Sequence, residues 1–128
     1  MRLLLDTHVL LWFAAGDAAL PRKVRALLES DAHESLVSGA SAWEVATKYR
    51  LGKLPGAGPF AVDFEGAVAS LGVTVLPISA RHAQLAGSFP AAHRDPFDRD
   101  IAAQAQLERC RLVSGDAALD AFGVSREW

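Results

Sequence analysis

Short apolar runs alternate with helical patterns along the whole chain. Runs of about four residues between helices are typical of strands that are buried on both faces of a parallel sheet. The sequence therefore predicts an α/β fold in which a central, mostly parallel sheet is flanked by helices. The predicted strands span residues 2–5, 35–38, 73–76 and 111–114, with a short fifth at 124–125.

Capping residues mark the bounds of the predicted helices. Pro21 suits the first turn of a helix that runs to Ser30. Between residues 60 and 71 apolar side chains recur at helical spacing, and Gly72 is expected to end this helix in the left-handed conformation. Two further helices are predicted, one from Ser79 to Ala86 and one leading from Asp98 into the fourth strand.

Length and composition predict one soluble domain, residues 1–128. Of the 128 residues 51% are hydrophobic, which is enough for a core without disulfides. Cys110 is the only cysteine, which fits a reducing compartment, so we expect a cytoplasmic protein. No apolar stretch reaches the length of a membrane span. The net charge of −2 gives no global positive field, so any contact with nucleic acid must be local.

Four acidic residues lie near the carboxyl ends of predicted strands. Asp6 directly follows the first strand, Glu44 lies beyond the second, Asp98 opens the helix before the fourth, and Asp116 follows the fourth. This edge forms the ligand crevice of open α/β sheets, so the four side chains are expected to converge. Carboxylates so close repel one another unless a cation compensates them. All-oxygen ligands favour Mg²⁺ or Mn²⁺, and such a metal suggests hydrolysis of a phosphodiester.

Each of these acids also suits a purely structural role. Ser41 and Glu44 have the spacing of a capping box. Asp95 suits the N-cap of a helix in which Asp98 occupies the third position, and Asp116 suits a turn. Asp6 differs, because a carboxylate that closes an apolar central strand is costly to bury without a partner.

Four blocks of sequence form a recognisable set. They are LLDTHVLLW at 4–12, the pair WE at 43–44, HRDPFDRDIAAQA at 93–105 and LVSGD at 112–116. In this order they resemble the PIN-domain nucleases, and most of all the VapC-type toxins of bacterial toxin–antitoxin modules. The resemblance extends from Arg2 to Val124, and the third block is its most specific part.

The resemblance implies a three-layer PIN fold and a metal-dependent endoribonuclease that a cognate antitoxin holds inactive. A homodimer is expected as well. The family's acidic set falls on Asp6, Glu44, Asp98 and Asp116, which would hold one or two Mg²⁺ or Mn²⁺ ions, with Glu44 orienting the attacking water. Thr7 and Ser114 place hydroxyls beside the acids, where they suit either support of the ligands or hydrogen bonding at the strand ends. Arg99 suits either contact with an RNA phosphate or an antitoxin carboxylate, or a solvated face.

Several residues depart from this pattern or lie outside it. Asp100 stands where the family usually has an aliphatic residue, so either this helix face is exposed or Asp100 adds charge near the site. Trp12 and Trp43 are expected to be buried in helix packing. Lys48 belongs to a basic run, residues 48–53, that is interpreted as a solvated face.

Other functions fit the sequence less well. A haloacid-dehalogenase-like phosphatase needs a second aspartate two residues after Asp6, where this chain has His8. A response-regulator receiver needs an aspartate at the end of the third strand, where the chain has Leu76. The alternative without catalysis is a silent PIN-like interaction module, against which the four intact acids argue.

Overall fold

The computed structural model describes all residues, 1–128, and centres on a five-stranded sheet. The strand order is β3-β2-β1-β4-β5, and every neighbouring pair is parallel. The predicted α/β fold is therefore confirmed. The strands are β1 (Arg2–Leu5), β2 (Glu34–Ser38), β3 (Val73–Leu76), β4 (Arg111–Val113) and β5 (Arg126–Glu127).

Helices and two short 3₁₀ segments connect the strands. The 3₁₀ segments are Pro55–Ala57 and Ala117–Phe122. The α-helices are α1 (Thr7–Ala15), α2 (Arg22–Glu29), α3 (Gly39–Arg50), α4 (Gly58–Val62), α5 (Phe64–Ala69), α6 (Ala80–Ser88) and α7 (Pro96–Leu107). None of these helices has the length and apolarity to cross a membrane.

Two hydrophobic clusters cover opposite faces of the sheet. Because side chains alternate along a strand, Leu3 and Leu5 of β1 join one cluster and Leu4 joins the other. The first cluster includes buried residues of α1, α2 and α5, and the second includes the buried face of α7. The three-layer arrangement follows directly from this pattern.

Several predicted element bounds differ from the structure. The helix expected over residues 60–71 is divided into α4 and α5 at Asp63, whose carboxylate accepts a hydrogen bond from the Gly66 N–H at 3.1 Å and so begins a new helix. Pro21 lies at the N-cap of α2, one position before the predicted one. Strand β5 lies two residues later than expected. Gly72 has the predicted positive φ, +74°.

Strand β1 lies at the point where the order of strand addition reverses. β2 and β3 extend the sheet on one side of β1, whereas β4 and β5 extend it on the other. The Asp6 N–H donates to the Val113 carbonyl at 3.0 Å, so the ends of β1 and β4 stay side by side. A crevice outside the carboxyl ends of such strands is the usual ligand position of open α/β sheets.

Candidate active site

Asp6 extends from the end of β1 toward the end of β4. It is the N-cap residue of α1, but its side chain makes no capping hydrogen bond. Its Oδ2 instead accepts a hydrogen bond from the Ser114 hydroxyl at 2.7 Å. Burial raises the pKa of Asp6, the Ser114 hydrogen bond lowers it, and the charge of Glu44 raises it further. The expected position of Ser114 beside the acid is thus observed.

Glu44 lies in the second turn of α3, and its side chain is buried. The capping-box interpretation is wrong, because α3 begins at Gly39 and Ser38 is its N-cap. The Oε1 atom of Glu44 accepts a hydrogen bond from Thr7 at 2.6 Å, as the proposed supporting position of Thr7 requires. Its Oε2 atom lies 2.6 Å from the Lys48 ammonium.

Asp98 lies in the first turn of α7. Asp95 is the N-cap and accepts hydrogen bonds from the Phe97 and Asp98 N–H groups at 2.9 and 3.3 Å, as predicted. This leaves the Asp98 carboxylate free to pair with His93, whose Nε2 lies 2.8 Å from Oδ2. Burial raises the pKa of Asp98, and the charges of Asp95 and Asp6 raise it further against the lowering effect of His93.

Asp116 begins the 3₁₀ segment after β4 and is exposed. Its carboxylate caps that segment by accepting from the Ala118 N–H at 3.0 Å, and its own N–H donates to the Ser114 hydroxyl at 3.1 Å. With Asp6 it lines an open cleft of about 390 Å³. Trp128 forms part of the cleft wall, and it packs so closely that a Cβ at Gly115 would lie 2.7 Å from its indole.

The four acids lie at one edge of the sheet, but they do not surround a common point. Asp6 lies within electrostatic range of both Glu44 and Asp98, and it shares the cleft with Asp116. No three Asp, Glu, His or Cys side chains are close enough together to enclose a metal ion. Three of the carboxylates have protein partners instead. Asp6 accepts a hydrogen bond from Ser114, Glu44 pairs with Lys48, and Asp98 pairs with His93.

The chemistry of this donor set fits a hard divalent cation. All four candidate ligands are carboxylates, and the two most central ones, Asp6 and Asp98, have raised pKa values because burial and like charges disfavour their ionised forms. A bound cation offsets both effects. At Glu44 such a cation would compete with the Lys48 ammonium for the carboxylate.

Arg99 does not line the cleft of Asp6 and Asp116, so its expected contact with an RNA phosphate or an antitoxin carboxylate stays a prediction. Its guanidinium is half-buried and used within the fold, where it links α7 to the segment that precedes it. Any support that Arg99 gives to the site is indirect, because that segment carries His93, the partner of Asp98. Arg99 donates hydrogen bonds of 2.7–3.0 Å to the carbonyl oxygens of Ala86, Phe89, Ala91 and His93.

Two residues that the sequence analysis did not assign to the site contact its acids. Lys48, predicted to be solvated, pairs with Glu44, and its spacing of four residues from Glu44 on a helix is the spacing of an ion pair. His93 pairs with Asp98, a contact that no sequence pattern indicates. The burial predicted for Trp43 is wrong, since Trp43 is 63% exposed and meets Phe97 edge to face.

Asp100 is buried, which excludes the exposed helix face as the reason for an acid at this position. Its Oδ2 accepts a hydrogen bond from the Ser38 hydroxyl at 3.1 Å. Burial raises the pKa of Asp100 above its ordinary value of 3.8, against the lowering effect of Ser38. The folded state therefore binds this proton more tightly than the unfolded chain, and ionisation of Asp100 costs stability as the pH rises through the raised pKa.

Replacing Asp100 by Asn is accordingly expected to stabilise the protein at neutral pH. The amide keeps an acceptor for Ser38 and removes the buried charge, so the thermal midpoint should rise by roughly 2–5 °C at pH 7. The gain should shrink as the pH falls toward the ordinary carboxyl pKa. Thermal unfolding of both proteins across pH, with exposed Asp31→Asn as the control, measures this. A variant that is less stable at neutral pH would contradict it.

Known proteins resemble this chain over nearly its whole length. The PIN domain family model matches residues 3–124. Ribonuclease VapC16 of Mycobacterium tuberculosis is 39% identical over 72 residues, 56% of this chain and 48% of that protein, so the match spans about half the length of this relative. The structure of VapBC2 from Rickettsia felis bound to a promoter DNA fragment has a TM-score of 0.73 at 15% identity and covers 99% of this chain and 98% of its own. A toxin–antitoxin complex from Klebsiella pneumoniae has a TM-score of 0.62 at 21% identity, with 92% and 89% covered.

Proposed function

The chain belongs to the PIN domain family, and from this premise we propose that it is a metal-dependent endoribonuclease, the toxin of a toxin–antitoxin module. The observation that carries the proposal is the row of four carboxylates at the topological switch point of the sheet. Two of them, Asp6 and Asp98, are partly buried and lie within range of each other's charge. Buried like charges are destabilising in themselves, so their placement at one edge favours a cationic cofactor. The ribonuclease name of the partial relative is consistent with this activity.

We propose that Asp6, Asp98 and Asp116 hold Mg²⁺ or Mn²⁺, directly or through water, with Glu44 as the fourth acid. Such an ion, when bound, supplies positive charge for the scissile phosphate and makes a water more acidic. The chain's own hydroxyls orient the acids, Ser114 on Asp6 and Thr7 on Glu44. Glu44 orients the water that attacks phosphorus in line, which leaves a 5′-phosphate and a 3′-hydroxyl.

The proposed partners are an RNA substrate, a cognate antitoxin and a second copy of the chain. The antitoxin proposal is consistent with the Klebsiella pneumoniae structure, which is a toxin–antitoxin complex of similar fold. The homodimer and a cytoplasmic location stay predictions from the sequence. A silent PIN-like module is the alternative, and the observation that favours it is that no three acids enclose an ion.

Removal of the metal is expected to abolish RNA cleavage. The protein, purified free of antitoxin, should cleave structured RNA in Mg²⁺ or Mn²⁺, stop in EDTA and recover when the ion is restored, because phosphodiester hydrolysis at a carboxylate site depends on the cation's charge. Denaturing gel electrophoresis of labelled RNA measures the rate. An Asp98→Asn protein purified in parallel reveals any contaminating ribonuclease. Cleavage that persists in EDTA, or none with either ion, would contradict the enzyme and favour the silent module.

A further inference from the structure

Lys48 places a positive charge inside the acidic edge of the sheet. It lies one helical turn after Glu44 on α3, with its Nζ 2.6 Å from Oε2 of Glu44. The charges of Asp95 and Asp98 also act on this ammonium. Among the lysines and arginines, Lys48 alone forms an ion pair with one of the four acids.

With this contact, both carboxylate oxygens of Glu44 have a hydrogen-bond partner. Thr7 donates to Oε1 and Lys48 to Oε2, both at 2.6 Å. The two ends of the ion pair differ in accessibility, since the Glu44 side chain is 8% exposed and that of Lys48 is 33% exposed. Glu44 is therefore fixed by its surroundings, whereas the flexible stem of Lys48 has solvent to move into.

A divalent ion and the Lys48 ammonium compete for the same place. Both are drawn by the charges of Glu44 and Asp98, and each repels the other across the short distances of the site. While Lys48 stays on Oε2 of Glu44, binding of the cation to that carboxylate is opposed, because two positive charges would share one negative group. The ion pair also agrees with the lack of any three acids gathered around one point.

We propose that Lys48 is the built-in counter-ion of the acidic cluster and that it lowers the affinity of the site for divalent metal by occupying Glu44. This inference rests on the proposed function, because it assigns a role to Lys48 toward the ion that the nuclease uses. In this role Lys48 is a positioning residue. It sets the metal concentration at which the four acids bind the ion.

Loss of the Lys48 charge is expected to tighten Mn²⁺ binding. Isothermal titration of Mn²⁺ into the full chain should give a dissociation constant at least about tenfold lower for Lys48→Met than for the wild type, because the competing charge has gone. Lys48→Arg keeps the charge and should bind as the wild type does. Lys23→Met, an exposed lysine on α2, is the matched control and should have no effect.

Other results would contradict this inference, the proposed function or both. Equal or weaker Mn²⁺ binding by folded Lys48→Met would overturn the inference, because a merely structural lysine predicts that outcome. If Lys48→Met loses its thermal unfolding transition, Lys48→Gln replaces it in the same titration. Tight Mn²⁺ binding by every protein without RNA cleavage would refute the proposed function alone, with the role of Lys48 still judged by the affinities. No Mn²⁺ binding by any of them would refute both.

Discussion

Replacement of Asp6 by Asn is expected to lower the RNA cleavage rate by at least about 100-fold, an effect typical of removing one group that stabilises developing charge. The fold should survive, because the amide oxygen of Asn can still accept the hydrogen bond from Ser114. Burial already raises the pKa of Asp6, so a neutral side chain at this position should unfold at the same temperature or higher. The variant should therefore lose activity without losing stability.

The measurement compares initial cleavage rates and thermal midpoints of wild type and variant at saturating Mg²⁺. Asp31→Asn is the control, since Asp31 is an exposed acid in the loop before β2. A folded Asp6→Asn protein that cleaves near the wild-type rate would show that this carboxylate does no chemistry. The proposed assignment of the metal ligands would then fail.

Arg99→Met should lower the free energy of unfolding by about 2–4 kcal/mol, since a charged donor is lost and buried carbonyls are left without partners. The guanidinium bonds four carbonyl groups, among them that of His93. Cleavage should fall as well, because the segment that carries His93 would no longer hold Asp98 in place. Arg99→Lys should recover only part of the loss, because an ammonium cannot reproduce the planar fork of donors.

Urea titration measures the loss of stability, and Arg81→Met is its control because Arg81 is an exposed arginine of α6. Surface changes of that kind cost at most about 0.5 kcal/mol. An Arg99→Met protein as stable as this control, with full activity, would mean that the four hydrogen bonds are not needed to hold the segment.

The fold could be predicted largely because its central strands are apolar and buried. Strand β1 lies where its apolar run predicts it, since in a strand buried on both faces the hydrophobic pattern and the sheet position coincide. Edge strand β3 also lies at its predicted residues, although Thr74 is exposed. Strand β5 was misplaced because it has only two residues, Arg126 and Glu127, and no apolar run of its own. It is held by pairing to Leu112 and Val113, a contact that local sequence does not encode.

The sequence predicted where the acidic residues lie in the fold, but it did not predict the hydrogen bonds and ion pairs that they form. Topology alone predicts that Asp6 lies at the sheet edge, because Asp6 directly follows the central strand. Its partner Ser114 lies 108 residues away in sequence, and no spacing rule relates the two. The hydrogen bonds of Arg99 could not be predicted for the same reason, since its acceptors belong to Ala86 of α6 and to the loop that follows, whose path becomes visible only in three dimensions.

The position of Trp128 has a consequence for the cleft that Asp6 and Asp116 line. Its indole forms part of the wall of this cleft and packs beside the ring of Trp12, with the ring centroids 6.1 Å apart. Removal of the Trp128 ring would therefore open one side of the cleft and leave the Trp12 ring more accessible to solvent.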